Sequence, residues 1–310
     1  MKRLWSLLLV LLVAGCSAPP EPLRGASNDW IGYQPLYLAQ ERGLFRGSPV
    51  HLAMLPSNSE VIRAFRNGLI DFAALTADEA MLLQQSGIDI CLPLVLDTSN
   101  GADAIIAHRG ITSLAALKGR RVGVENTAVG AYMMVRGLER AGLKPTDVDV
   151  VPLELGEQEA AFDQGRIDAV VTFDPVRSRL LARGAVQLFD SSQIPGEVID
   201  VLVVRRSYLS GHRAVMRELT DGWYEALDYM AAHPRESDLV NGRRIGLTAA
   251  QYRRALSGLS TPSREENAKQ LYGATPQLVP VLERLMHIMV KQSLLRGPLP
   301  TGRLFCGEAR

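Results

Sequence analysis

The stretch best equipped for chemistry is residues 30–45, WIGYQPLYLAQERGLF. Trp30 and Tyr33 precede Pro35, and proline suits a first helical turn, where its missing N–H would be orphaned in any case. Gly43 supplies the stop, because it takes a left-handed C-cap without steric cost. An aromatic loop that feeds a helix N-terminus offers a small molecule stacking area from its rings and polar contacts from free N–H groups. The competing reading is an amphipathic helix whose aromatics fill the core, and these residues alone favour that one.

Catalytic and nucleic-acid chemistry find little support. The five histidines, at 51, 108, 212, 233 and 287, are isolated. There is no His-x-x-x-His or Cys-x-x-Cys spacing for a metal, and no Gly-x-Ser-x-Gly turn for a nucleophile. The 34 basic and 33 acidic residues nearly cancel, and the arginines are scattered rather than gathered into a stripe, which argues against a nucleic-acid partner. The sequence therefore reads as a non-enzyme with no cofactor and no metal.

Export is the clearest local signal. Lys2 and Arg3 precede the apolar run Leu7 to Val13, and Ala14 and Gly15 lead into Cys16. This is a secretory layout, and the run is shorter than the roughly 20 residues that span a bilayer. It resembles the bacterial lipoprotein box, which implies a signal peptide over 1–15 and lipidation of Cys16. Residues 16–26 are rich in proline and read as a linker from the anchor to the folded body. In such lipoproteins a serine after the cysteine, here Ser17, goes with outer-membrane sorting, so the destination membrane stays open. Two other cysteines remain. An oxidising compartment allows a Cys91–Cys306 disulfide that pins the tail to a strand; two buried free thiols are the alternative.

The elements that must position the loop alternate along the chain. Short apolar runs at 50–55, 71–75, 90–96, 104–108, 121–125, 148–153, 167–173, 185–190 and 198–204 have strand length, and helical patterns separate most of them. Ser57-x-x-Glu60 and Thr76-x-x-Glu79 have the capping-box form at two helix starts, and Asn126-Thr127 precede another helix. Asp97 to Asp103 reads as a turn-rich break, and from Ser207 onward the periodicity is helical. Alternating βα units predict an α/β protein with parallel sheets flanked by helices. At 310 residues the chain is long for one core and comfortable for two lobes. Ligands on such sheets gather at the carboxyl ends of strands, beside helix N-termini.

Four stretches in order, WIGYQPLYLAQERGLF, DFAALTADEAM at 71–81, ITSLAALKGRRVGVE at 111–125 and GRIDAVVTFDPV at 165–176, make the chain similar to the solute-binding proteins of ABC importers. Within these it resembles the nitrate, sulfonate, taurine and thiamine-pyrimidine-precursor group. The resemblance implies the type II periplasmic binding protein fold: two lobes of mostly parallel sheet, two hinge crossovers near 102–107 and 198–203, and a helical C-terminal segment. Lobe 1 is expected from 27–103 plus 202–310 and lobe 2 from 104–201. A small molecule binds between the lobes, which close on it. Implied partners are a permease, its ATPase subunits and, through the lipid anchor, the membrane on its periplasmic face; the protein itself is expected to be a monomer.

Carried over by motif, the ligand-contacting positions are Trp30, Gly32 and Tyr33, then Ser57, Asn58 and Thr76, and on the other lobe Asn126, Thr127 and Ala128. Asp174 matches the position after the DAVVTF strand, with capping of the next helix as its alternative role. Asn100 and Asp103 stand by the first crossover. These loops offer carboxylates and aromatic rings but no lysine or arginine. Oxyanion sites favour arginine and helix N-termini, whereas amines favour carboxylates and ring faces. The expected ligand is therefore a neutral or cationic small molecule, such as a heterocycle. Two other roles stay open: a ligand-sensing lipoprotein beside a membrane receptor, and an enzyme like the pyrimidine synthase of this fold group. The latter relies on a cysteine-rich motif that this chain lacks.

Overall fold

The computed structural model describes residues 22–46 and 49–307. The expected signal peptide, Cys16 and the expected linker up to residue 21 lie outside the described residues. The strands are β1 (Leu23–Ser27), β2 (Val50–Met54), β3 (Phe72–Thr76), β4 (Ile90–Ser99), β5 (Asp103–Ala107), β6 (Arg121–Val124), β7 (Asp149–Pro152), β8 (Ala169–Phe173), β9 (Val186–Asp190), β10 (Ile199–Arg205) and β11 (Leu259–Ser260). Between them run helices α1 (Gln34–Glu41), α2 (Asn58–Arg66), α3 (Ala77–Gln85), α4 (Ala128–Arg140), α5 (Leu155–Asp163) and α6 (Val176–Ala182). The C-terminal part adds α7 (Arg206–Ala232), α8 (Pro234–Arg244), α9 (Ala249–Leu256), α10 (Arg264–Leu271) and α11 (Val279–Lys291).

The strands form two sheets, ordered β11-β4-β10-β3-β1-β2 and β7-β6-β8-β5-β9. Strands joined through a βα unit pair in parallel, as β1 does with β2 and β3 and β6 with β7 and β8. The strand that enters each sheet from the other one runs antiparallel: β10 in the first sheet and β5 in the second. Both sheets are therefore mixed, and the expected parallel character belongs to their βα-linked strands.

Three boundaries differ from the sequence reading. Leu23 to Ala26, expected in the linker, form an interior strand of the first sheet, between β2 and β3, so a chain begun at residue 27 would lack a strand paired on both sides. The prolines just upstream mask a strand whose only bulky apolar residue is Leu23, and Gly25 is required there: a Cβ at this position would stand 2.0 Å from Phe72 Cζ. Asp97 to Ser99, expected as a turn, continue β4, because β10 and β11 supply backbone partners to these polar residues. Consequently the chain crosses between sheets at 100–102 and 191–198, earlier than expected in both cases. The two crossings are bonded together, Ser99 Oγ to Ser191 Oγ at 2.7 Å and Gly101 N–H to Ser191 Oγ at 2.7 Å.

The C-terminal helices brace the first sheet. Asn267 of α10 lies against β4 like an added strand residue: its amide donates to Val95 O at 2.7 Å and its Oδ1 accepts from Val95 N–H at 2.9 Å. Cys91 and Cys306 are disulfide-bonded, with Cα atoms 4.9 Å apart. Both braces hold β4, the strand that carries Asp97.

Candidate functional site: the cleft between the sheets

Strand ends and helix starts converge from both sheets. Ser57 caps α2 by accepting from Glu60 N–H at 3.3 Å, and Thr127 caps α4 by accepting from Gly130 N–H at 3.4 Å. Thr76 N–H donates to the Glu79 carboxylate at 3.1 Å, closing the start of α3. These caps turn the backbone sharply at the strand ends and leave the neighbouring side chains facing the cleft.

Trp30, Tyr33, Asn58, Thr76 and Asp103 come together around one small space, joined by Asp200, Val129 and Phe173. Thr127 lines an adjoining space with Asp103, Glu125 and Gln158. Each space is about 10 Å³, room for about one water, so the lobes are drawn together here. Contacts across the cleft are direct. The rings of Trp30 and Phe173 meet edge to face, 5.5 Å between centroids, and Glu125 Oε1 accepts from Ser59 N–H at 3.1 Å and from its hydroxyl at 3.3 Å.

The floor is acidic. Asp97 and Asp200 are register partners on β4 and β10 and are both buried. Trp30 Nε1–H donates to Asp97 Oδ2 at 3.3 Å, and Tyr33 donates its hydroxyl proton to Asp200 Oδ1. Gly32 makes this possible, since a Cβ there would stand 2.0 Å from Asp97 Oδ2 and 2.5 Å from Trp30 Nε1. Asn58 Nδ2 donates to both oxygens of buried Glu79, at 3.1 and 3.2 Å. Burial out of water raises every one of these carboxyls. It pushes Asp97 and Asp103 up to about 7, Glu125 to about 7 and Asp78 to about 6. Asp200 and Glu79 stand well above the usual range, through burial and then the neighbouring charges of Asp97 and Asp78 respectively.

The remaining candidates lie elsewhere. Asn100 is exposed, its backbone N–H bonded to Gly258 O at 2.7 Å. Asn126 is exposed on the rim, where with Ala128, Arg63 and Arg66 it borders an outer hollow of about 450 Å³. Asp174 is fully buried and acts as a cap: Oδ1 accepts from Ser178 N–H at 2.9 Å and Oδ2 from Arg177 Nη1 at 3.2 Å. Asp97, Asp200, Glu79, Glu125 and Phe173 were missed by sequence reasoning. A signal existed for two of them, because Asp97 and Asp200 are single charges set in otherwise apolar strand runs, PLVLD and VIDVLVV. Among the described residues no group of three or more His, Cys, Asp or Glu is arranged to hold a metal ion.

The chain is similar to known binding proteins. A taurine-binding periplasmic protein of Escherichia coli (strain K12) is 25% identical over 219 residues, 67% of this chain and 68% of that one. The periplasmic aliphatic sulphonate binding protein SsuA from Escherichia coli superposes with a TM-score of 0.75 at 20% identity, covering 93% of this chain and 98% of the other. The alkanesulfonate-binding protein SsuA from Xanthomonas axonopodis pv. citri bound to MOPS gives 0.76 at 19% identity, with 94% and 99% covered. The two superpositions establish the two-lobed fold of periplasmic binding proteins. Residues 17–241 match the NMT1-like family, and the chain belongs to that family.

Proposed function

We propose that this protein is the solute-binding component of an ABC importer, anchored by lipidated Cys16 at the periplasmic face of a bacterial membrane, where it captures a small organic molecule and hands it to a permease. The observation that carries this reading is the cleft itself. Its walls come from strand ends of two separate sheets, the two crossings between those sheets are adjacent and bonded to each other, and the facing side chains are rings and buried polar groups. Such a geometry lets two rigid bodies open and close around a fixed axis. Lobe 1, built on the first sheet from β1 to β4 and again from β10 onward, then carries Trp30, Gly32, Tyr33, Ser57, Asn58 and Thr76. Lobe 2, built on the second sheet from β5 to β9, carries Asn126 and Thr127, with Asp103 at the start of β5 beside the hinge. Capture rather than turnover suits this wall, since it presents buried carboxyls without a nucleophile and base in contact.

A thermal-shift screen of the purified protein against sulfonates, nitrate, pyrimidines, polyamines and amino acids is expected to give at least one ligand that raises the midpoint by mass action. Trp30→Ala and Asp103→Ala are each expected to weaken that ligand at least tenfold. A screen without any ligand, or a ligand indifferent to both substitutions, would refute the site. For the anchor, Cys16→Ser is expected to move the protein from the membrane fraction to the soluble fraction; retention at the membrane would refute lipidation. Among the described residues no helix is long and apolar enough to cross a membrane.

A further inference from the structure

We propose that the cleft selects a planar organic cation whose charge is carried by N–H groups, an amidinium-type ligand held between the carboxylates of Asp103 and Asp200. This rests on the reading of the cleft as a solute site and names the class of solute.

Hydrogen-bonding capacity around the cleft is used unevenly. Around the inner space the indole N–H of Trp30 is spent on Asp97, the hydroxyl proton of Tyr33 on Asp200 and the amide N–H groups of Asn58 on Glu79, while the hydroxyl of Thr76, like that of Thr172 in the adjoining space, is unpartnered. The unpartnered acceptors are more numerous. Asp103 Oδ2 and Asn58 Oδ1 have no partner although their residues are only 4% and 3% exposed, and Asp200 Oδ2 has none but the neighbouring Asp97 carboxyl. In the adjoining space Glu125 Oε2 and Gln158 Oε1 are buried and unpartnered as well. Buried polar groups in folded proteins are almost always bonded, so an occupant that brings donors meets the greater need. A sulfonate or carboxylate brings only acceptors.

Charge points the same way. Among the described residues no lysine, arginine or histidine lines either space, and the nearby Arg177 is committed to Asp174 and Gln187. Asp97 and Asp200 lie side by side on neighbouring strands, and two carboxylates so placed do not both ionise without a counter-charge. A bound cation supplies it. An organic rather than a metal cation fits, because these oxygens are not grouped as metal ligands. Planarity follows from two features: an N–H fork meets a carboxylate in parallel bonds, and the Trp30–Phe173 pair bounds the space with ring surface on which a flat cation is held.

The test is calorimetric titration of the purified protein with benzamidinium, benzamide and benzenesulfonate, one ring carrying a positive, neutral or negative group, repeated with the smaller acetamidinium, acetamide and methanesulfonate. In at least one series the amidinium is expected to bind tenfold or more tightly than its neutral and anionic partners. Asp103→Asn and Asp200→Asn are each expected to erase most of that advantage. Tighter binding of a sulfonate or amide would overturn the cation class yet leave the solute site standing. So would failure of all six probes while the broad screen yields a ligand sensitive to Trp30→Ala. Amidinium binding that survives both aspartate substitutions would overturn the proposal too. If either variant fails to fold, the comparison on the unmodified protein still decides.

Discussion

Replacing Cys91 and Cys306 together by alanine is expected to lower stability by about 4 kcal/mol and the unfolding temperature by about 8 °C. The bridge joins residues 215 apart in sequence. Closing so long a loop removes much of the entropy of the unfolded chain, about 5 kcal/mol in the chain-entropy limit, and measured losses of native disulfides run at about 2–5 kcal/mol. The folded state loses a clamp as well. Phe305 forms a β-bridge with Leu92, and Arg206 ties the same tail by donating to Arg303 O at 2.6 Å and Phe305 O at 3.4 Å. Those bonds keep the tail in place after the cysteines are gone, so the loss is expected in the unfolding midpoint rather than in the circular dichroism of the native state. Thermal unfolding of the double variant beside the oxidised parent checks this, and equal midpoints would show that the bridge carries no stability.

The features legible in the sequence are those whose cause is local. Ser57, Thr76 and Thr127 announce helix starts because cap chemistry acts within three or four residues. Trp30, Asn58, Thr76 and Asp103 could be placed at strand ends by that same punctuation, and the structure gathers them around one space. What failed depends on partners distant in the chain. Leu23 to Ser27 carry a weak strand pattern beside prolines, yet they are paired on both sides, and such pairing overrides propensity. Asp97 to Ser99 look like a turn because they are polar, and they are strand because β10 and β11 lie beside them. No local signal shows that Asp97 and Asp200 sit opposite each other, so of the acidic cleft only Asp103 was read from the sequence, together with Asp174. Asp174 then proved to face Ser178 and Arg177. Asn100, three residues before Asp103, is exposed while Asp103 is buried.

The second large effect follows from that floor: the unliganded protein is expected to lose about 10 °C of unfolding temperature between pH 5.5 and pH 7.5. The groups responsible are Asp97 on β4, Asp103 on β5, Asp200 on β10, Asp78 and Glu79 on α3, and Glu125 after β6. All are raised in the folded state by burial. A carboxyl raised by folding binds more protons in the native than in the unfolded chain throughout the interval between its two values. Stability therefore falls as pH rises there. The contribution is complete below the unfolded value near 4 and is lost as pH passes the folded values of about 6 to 7. Asp97 and Asp103 alone, each held at about 7, give an excess of about two bound protons below that pH and a slope of about 3 kcal/mol per pH unit. Over the part of this range where the groups titrate, that amounts to about 4–5 kcal/mol, or about 10 °C for a chain of this size. Unfolding midpoints measured across the range check it, and a flat profile would mean that the floor is ionised at pH 5.5 or solvated. Asp200→Asn removes one member and is expected to raise the midpoint at pH 7.5 by several degrees while flattening the curve. A stabler variant that no longer binds a cation would tie the two properties to one cause. Carboxyls held out of water without a counter-charge destabilise the empty cleft, and an arriving cation is worth most where that deficit is greatest.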